Sequence, residues 1–145
     1  MRIATLSIVA TMILSAAACS TTPPASASTR EAKEAAALAR YQAAAGSPVS
    51  SINNFGSPRW DTVDGSHIVY VVSPKHQYLM TLSGPCMDWA TGAYIIGVSS
   101  DMGRIYTNFD RIYVSRGPAC SIKQIQPLDA GKLLESAPNG DARVI

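Results

Sequence analysis

Three cysteines constrain this chain more than any other feature. Cys19 follows a short apolar segment at the N-terminus, whereas Cys86 and Cys120 lie deep in the body of the sequence. Cys86 comes directly after Gly84-Pro85 and Cys120 shortly after Gly117-Pro118, at the ends of β-rich segments, where two chains can approach as closely as a disulfide requires. The two are 34 positions apart (120 minus 86). Closing a loop of that size stabilises a fold by about 3.8 kcal/mol in the chain-entropy model. A closed zinc site would need about four ligands, usually in near-spaced pairs, and neither cysteine has a second one close by. The pair is therefore expected to form a disulfide, which places the chain outside the reducing cytosol.

The odd cysteine then needs its own account. Residues 1–18 have the three parts of a signal peptide. Met1-Arg2 is positive, Ile3 to Leu14 is apolar apart from Thr5, Ser7 and Thr11, and Ser15-Ala16-Ala17-Ala18 supplies small residues for cleavage. The apolar run is well short of the roughly 20 residues that cross a bilayer as a helix. Ala16-Ala17-Ala18-Cys19 resembles a bacterial lipobox, although its Leu14 stands five rather than three residues before the cysteine. Cys19 is thus the expected lipidation site, carrying acyl groups such as palmitate. The other reading is ordinary cleavage after Ala18, which leaves Cys19 as an exposed thiol. Ser20 in place of Asp directs such a lipoprotein to the outer membrane, facing the periplasm. Each buried methylene contributes about 0.8 kcal/mol, so two or three chains hold firmly where one does not.

Beyond the signal, about 127 residues remain (145 minus 18), enough for one folded domain. Without Arg2, eleven basic residues face ten acidic ones. Arg59, Lys75, Arg104, Arg111, Arg116 and Lys123 form no run, which argues against nucleic acid as a partner. Residues 19–28 read as a flexible tether, being small, polar and Pro-bearing. Residues 29–46 read as an Ala-rich helix with Ser28-x-x-Glu31 as a capping box, Arg30 and Glu34 as an i,i+4 pair, and Gly46 and Pro48 as its stop. Its large apolar residues are Leu38 and Tyr41. Such a thin stripe predicts a helix that packs loosely on the body or merely extends the tether, a solvated spacer more readily than a partner-binding helix.

Residues 48–137 read as the β-rich domain, followed by a flexible tail at 138–145. His67–Val72 and Gln77–Leu82 are β-branched and aromatic, with Ser73-Pro74-Lys75-His76 between them, a hairpin pattern. Further strands are expected at 94–98, 104–106, 111–114 and 120–125, with short ones near Ile52 and Trp60. Asp129 is placed to cap a brief helix through Glu135, with Leu133 and Leu134 inward. The fold class expected is mainly β (α+β): a small antiparallel sheet curling into a barrel or sandwich, with an N-terminal and a short C-terminal helix.

Reactive constellations are sparse. His67 and His76, the only histidines, straddle the hairpin turn, and with Asp61 or Asp64 they form the one candidate for an enzyme or metal-binding centre. Their spacing matches no specific ligand pattern, and no metal or other cofactor is expected. Gly97-Val98-Ser99-Ser100-Asp101 begins like a nucleophile elbow but has Asp101 where the motif needs Gly. Asp61, Asp64, Asp101 and Asp110 sit where turns need them. The aromatics are spread over the β-body and are expected in the core or in cross-strand pairs. If several lined one open face, they would grip a peptide, glycan or lipid.

Ser51-Ile52-Asn53-Asn54-Phe55, Gly84-Pro85-Cys86, Ser99-Ser100-x-x-Gly103-Arg104 and Cys120-Ser121-Ile122-x-x-Ile125-x-Pro127-Leu128-Asp129 resemble a family of small proteobacterial envelope lipoproteins of unknown function. The resemblance covers roughly residues 48–130 and implies an exported, disulfide-containing domain, with no activity to transfer. The expected role is a non-enzymatic binding or structural module of the cell envelope. It would be held to the membrane at Cys19 and have an envelope protein or glycan as partner. The alternative is an inhibitor of an enzyme such as lysozyme, reaching out with the Pro74–His76 or Ser100–Arg104 turn.

Overall fold

An uninterrupted run such as Ile68-Val69-Tyr70-Val71 is stable in water only if both faces of its strand are covered, and here they are. The structure is a computed structural model and describes residues 25–54, 57–86, 96–100, 102–115 and 117–136. The signal peptide, Cys19, the first part of the tether, the tail at 138–145, Phe55, Trp89 and Asp101 lie outside the described residues.

The chain runs α1 (Ala25–Ala44), β1 (Ser51–Asn53), β2 (Arg59–Thr62), β3 (His67–Ser73), β4 (His76–Leu82), β5 (Ile96–Val98), β6 (Arg104–Tyr106), β7 (Arg111–Val114), β8 (Ala119–Leu128) and α2 (Ala130–Glu135). Six strands form one antiparallel sheet in the order β2-β3-β4-β8-β7-β5, which curls into a half-barrel, and β1 pairs with β6 in a small second sheet. The expected hairpin is β3–β4, with Pro74-Lys75 as its turn and Tyr70 opposite Tyr78.

Alternation along each strand divides the core in two. Ile68, Tyr70, Met80, Leu82, Ile112, Val114, Cys120, Ile122 and Ile125 point to one side, where Ile52 and Ile105 of the small sheet close over them. Val69, Val71, Leu79 and Leu128 point to the other, against Tyr41 and Ala44 of α1 and Leu133 of α2. On β8 the inward residues run Cys120, Ile122, then Ile125, a change of parity that strict alternation forbids. The register explains it: Thr81 pairs with Gln124 but Leu82 with Ile122, so β8 bulges by one residue there.

Cys86 and Cys120 are bonded, with Cα atoms 6.1 Å apart, and both are buried in the first cluster. The bond ties the segment after β4 to the start of β8. Tyr70 is fully buried beside Trp60, with ring centroids 4.3 Å apart, and its hydroxyl donates to the Asn54 side-chain oxygen. Burial pushes the Tyr70 phenol up from its ordinary value of 10.0 to about 12.

Several expectations change. The helix starts at Ala25, inside the expected tether, so Ser28 is a helical residue and not its cap. Arg30 and Glu34 do pair, at 2.7 Å. The second half of α1 packs on the body and is not a solvated spacer: Ala37, Leu38, Tyr41 and Ala44, with Ala45 just beyond the helix, form a stripe against the sheet. Small residues make that stripe look thin in sequence, yet they let the helix lie close to its neighbours. β8 runs on past Ile125 through Pro127. In a strand, a residue's N and O point to the same side, and the Pro127 carbonyl accepts from Gly46 N at 2.8 Å. The missing N–H therefore faces Gly46 rather than β4, and the β4 ladder is spared. Asp129 caps α2 by accepting from Gly131 and Lys132, and Leu133 is buried, but Leu134 is 56% exposed rather than inward.

Candidate functional site

The hairpin register separates the two histidines. His67 stands opposite Thr81 and His76 opposite Ser73, at opposite ends of β3–β4, so the two-histidine centre is not assembled. His67 Nδ1 meets Asp64 Oδ1 and Oδ2 at 2.9 and 2.8 Å, and Ser66 N donates to Asp64 Oδ1 at 2.7 Å. The pair closes the β2–β3 connection as an aspartate-anchored turn. His76 Nδ1 lies 2.9 Å from Ser73 Oγ across the exposed hairpin turn. Asp61 is on β2 opposite Val69. Among the described residues, no group of three or more His, Cys, Asp and Glu side chains is arranged to hold a metal ion.

Ser99, the nearest approach to a nucleophile in the sequence, is part of a brace. Its hydroxyl donates to Asp110 Oδ1 at 2.6 Å and accepts from Arg111 N at 2.8 Å. Asp110 Oδ2 accepts from Tyr106 N at 2.7 Å, and Asp110 N donates to Tyr106 O at 3.1 Å. Asp110 is 2% exposed. The buried carboxylate thus holds both ends of the β6–β7 turn and couples it to β5. Within that turn Asn108 takes φ 61°, a left-handed conformation that Asn tolerates better than most residues.

The brace presents an aromatic side chain to solvent. Phe109, next to Asp110, is 74% exposed, and Tyr113 is 52% exposed. Phe109, Arg111 and Tyr113 alternate along one outer face, and with Ser99, Ser100 and Asp110 they line an open groove of about 300 Å³. Tyr113 stands between Gly97 on β5 and Ala119 on β8, and Arg111 lies opposite Ser121. Exposed large aromatics gathered on one face mark interaction sites rather than random surface. On the Ser100–Arg104 side, Met102 at φ 49° precedes Gly103 at φ 72°, and its side chain is 92% exposed.

The outward setting of Arg111 and Tyr113 has a signal in the sequence, shared with β6 of the small sheet. Arg-Ile-Tyr occurs twice, at 104–106 and 111–113, and alternation buries each isoleucine while turning each arginine and tyrosine outward. In β6, Arg104 lies over the Tyr106 ring at 5.9 Å.

Among the described residues, no helix is long and apolar enough to cross a membrane. No curated protein and no solved structure matches the chain. A family model does, over residues 1–139, a longer stretch than the cysteine and C-x-I-x-x-I-x-P-L-D segments alone. The chain belongs to that family, described as a family of unknown function (DUF6491).

Proposed function

We propose that this protein is an exported, lipid-anchored module of the cell envelope, non-catalytic, which binds its partner on the outer face of β5 and β7. The observation that carries the reading is the exposed pair Phe109 and Tyr113, held over a buried brace of Ser99 and Asp110. Solvent-facing aromatics cost solubility, and a buried carboxylate costs desolvation. Ordering one to display the other favours a surface used for binding. The envelope address is supported by the Cys86–Cys120 bond and by Cys19 after its apolar leader, both within the span of the family match. The membrane is the outer one, and the domain faces the periplasm.

The test places a photocrosslinking amino acid at Phe109 and, as a control, at exposed Gln42 in intact cells. Adducts from position 109 that are absent from position 42 support the reading. Equal labelling from both positions, or none, contradicts it.

Met102 at the tip of its turn favours a second reading, inhibition of an envelope enzyme such as lysozyme by insertion of that turn. Purified protein that slows lysozyme, and loses the effect in Met102→Asp, would establish it. Unchanged lysozyme rates would dismiss it.

A further inference from the structure

The two helices cover only part of the sheet's outer side. Tyr41, Ala44 and Leu133 pack on Val69, Val71, Leu79 and Leu128, that is, on β3, β4 and the end of β8. The outer side of β5, β7 and the start of β8 has no such cover among the described residues. Its rows are short and legible. Tyr113 is flanked by Gly97 and Ala119, and Arg111 by Ser121 on β8. The row on β8 continues from Ser121 to exposed Lys123.

Three features of this face select a ligand. First, Tyr113 rises from a low floor. A Cβ added at Gly97 would lie 4.0 Å from the Tyr113 Cβ, so a larger side chain there would stand beside the ring and wall off its face. With Gly97 and Ala119 as neighbours, the ring presents an open, electron-rich surface, which suits the C–H-bearing face of a sugar ring. Second, the exposed charges of the described part of this face, Arg111 and Lys123, are both positive. Among the described residues its one carboxylate, Asp110, is buried and engaged by Ser99 and Tyr106 N. The described part of the face is complementary to an anion, and a guanidinium fork matches a carboxylate in two parallel hydrogen bonds. Third, the groove is open and shallow at about 300 Å³, with hydroxyl and guanidinium groups beside its aromatic rings, which suits a polar chain lying across it better than an acyl tail.

We infer that the outer face of β5, β7 and β8 binds an acidic polysaccharide, with a sugar ring stacked on Tyr113 and its carboxylate held by Arg111. The inference rests on the binding reading above and supplies the class of its ligand.

The experiment is affinity electrophoresis of the full chain in gels containing polygalacturonate, neutral dextran or polyglutamate. Retardation in polygalacturonate is expected, with little or none in dextran or polyglutamate. Tyr113→Ala and Arg111→Gln should each weaken it by about tenfold, and Tyr113→Phe should retain it, since stacking needs the ring and not the hydroxyl. Circular dichroism and thermal midpoints of the variants should match the parent, because both side chains are exposed. Failure of polygalacturonate to retard the parent overturns the inference. So does equal retardation by polyglutamate that ignores Tyr113→Ala, which would make the face merely cationic. If position 109 still yields specific protein crosslinks in cells while polygalacturonate fails, the ligand class is wrong and the binding face stands.

Discussion

The Ser99 hydroxyl donates to the Asp110 carboxylate at 2.6 Å, eleven residues along the chain, and so ties the end of β5 to the turn that displays Phe109. Removing the carboxylate leaves Tyr106 N–H and the Ser99 hydroxyl without their acceptor. Asp110→Ala is therefore expected to cost about 3 kcal/mol, and Ser99→Ala, which in turn strands Asp110 Oδ1 and Arg111 N–H, about 2 kcal/mol. Urea unfolding of the two variants checks this. An Asp110→Ala protein as stable as the parent would mean that the turn is held by something else.

The Cys86–Cys120 bond closes a loop of 34 residues. The double Ser variant should lose about 4 kcal/mol by the chain-entropy model. Denaturant unfolding with and without a reductant should show the same loss in the parent alone, and no effect of reductant on the variant.

Tyr70 gives the fold a high-pH limit. Its phenol ionises near 10 when exposed and near 12 in the fold, so between those values the unfolded chain has released a proton that the folded one keeps. Stability contributed by the neutral phenol is complete below pH 10 and is lost as pH rises toward 12, by roughly 3 kcal/mol in all. Tyr70→Phe should flatten that decline. The check is the urea midpoint against pH for both proteins; identical slopes would refute it.

Docking of α1 is separable from its helicity. Tyr41→Ala should destabilise by about 3 kcal/mol, because a buried aromatic leaves a cavity against Val69 and Leu79. Arg30→Ala should cost under about 0.5 kcal/mol, because the Arg30–Glu34 pair is on the surface. Thermal unfolding distinguishes the two. Equal small effects would return α1 to the status of a spacer.

Much of the fold was legible because the relevant physics is local. β-branched and aromatic runs bounded by turn residues mark the β3–β4 hairpin, β6 and β7, and Asp129 marks the start of α2. What was not legible depended on neighbours. β8 continues through Pro127 because Gly46 meets its carbonyl, 81 positions earlier in the chain (127 minus 46), a fact no window around the proline contains. The α1 stripe reads as too thin because alanines count for little until a sheet lies against them. His67 and His76 flank the turn in sequence, but the ladder puts them at opposite ends of the hairpin, which only the register shows. The aromatic face depends on neighbours in the same way. Arg-Ile-Tyr fixes which way each side chain points, but only the order β8-β7-β5 shows that Gly97 and Ala119 leave the Tyr113 ring open.

The most direct test of the account is mass spectrometry of the unreduced protein taken from cell membranes. The expected result is a peptide pair joined through Cys86 and Cys120 and an N-terminal peptide that starts at an acylated Cys19. Three free thiols on a chain that still carries residues 1–18 would contradict it.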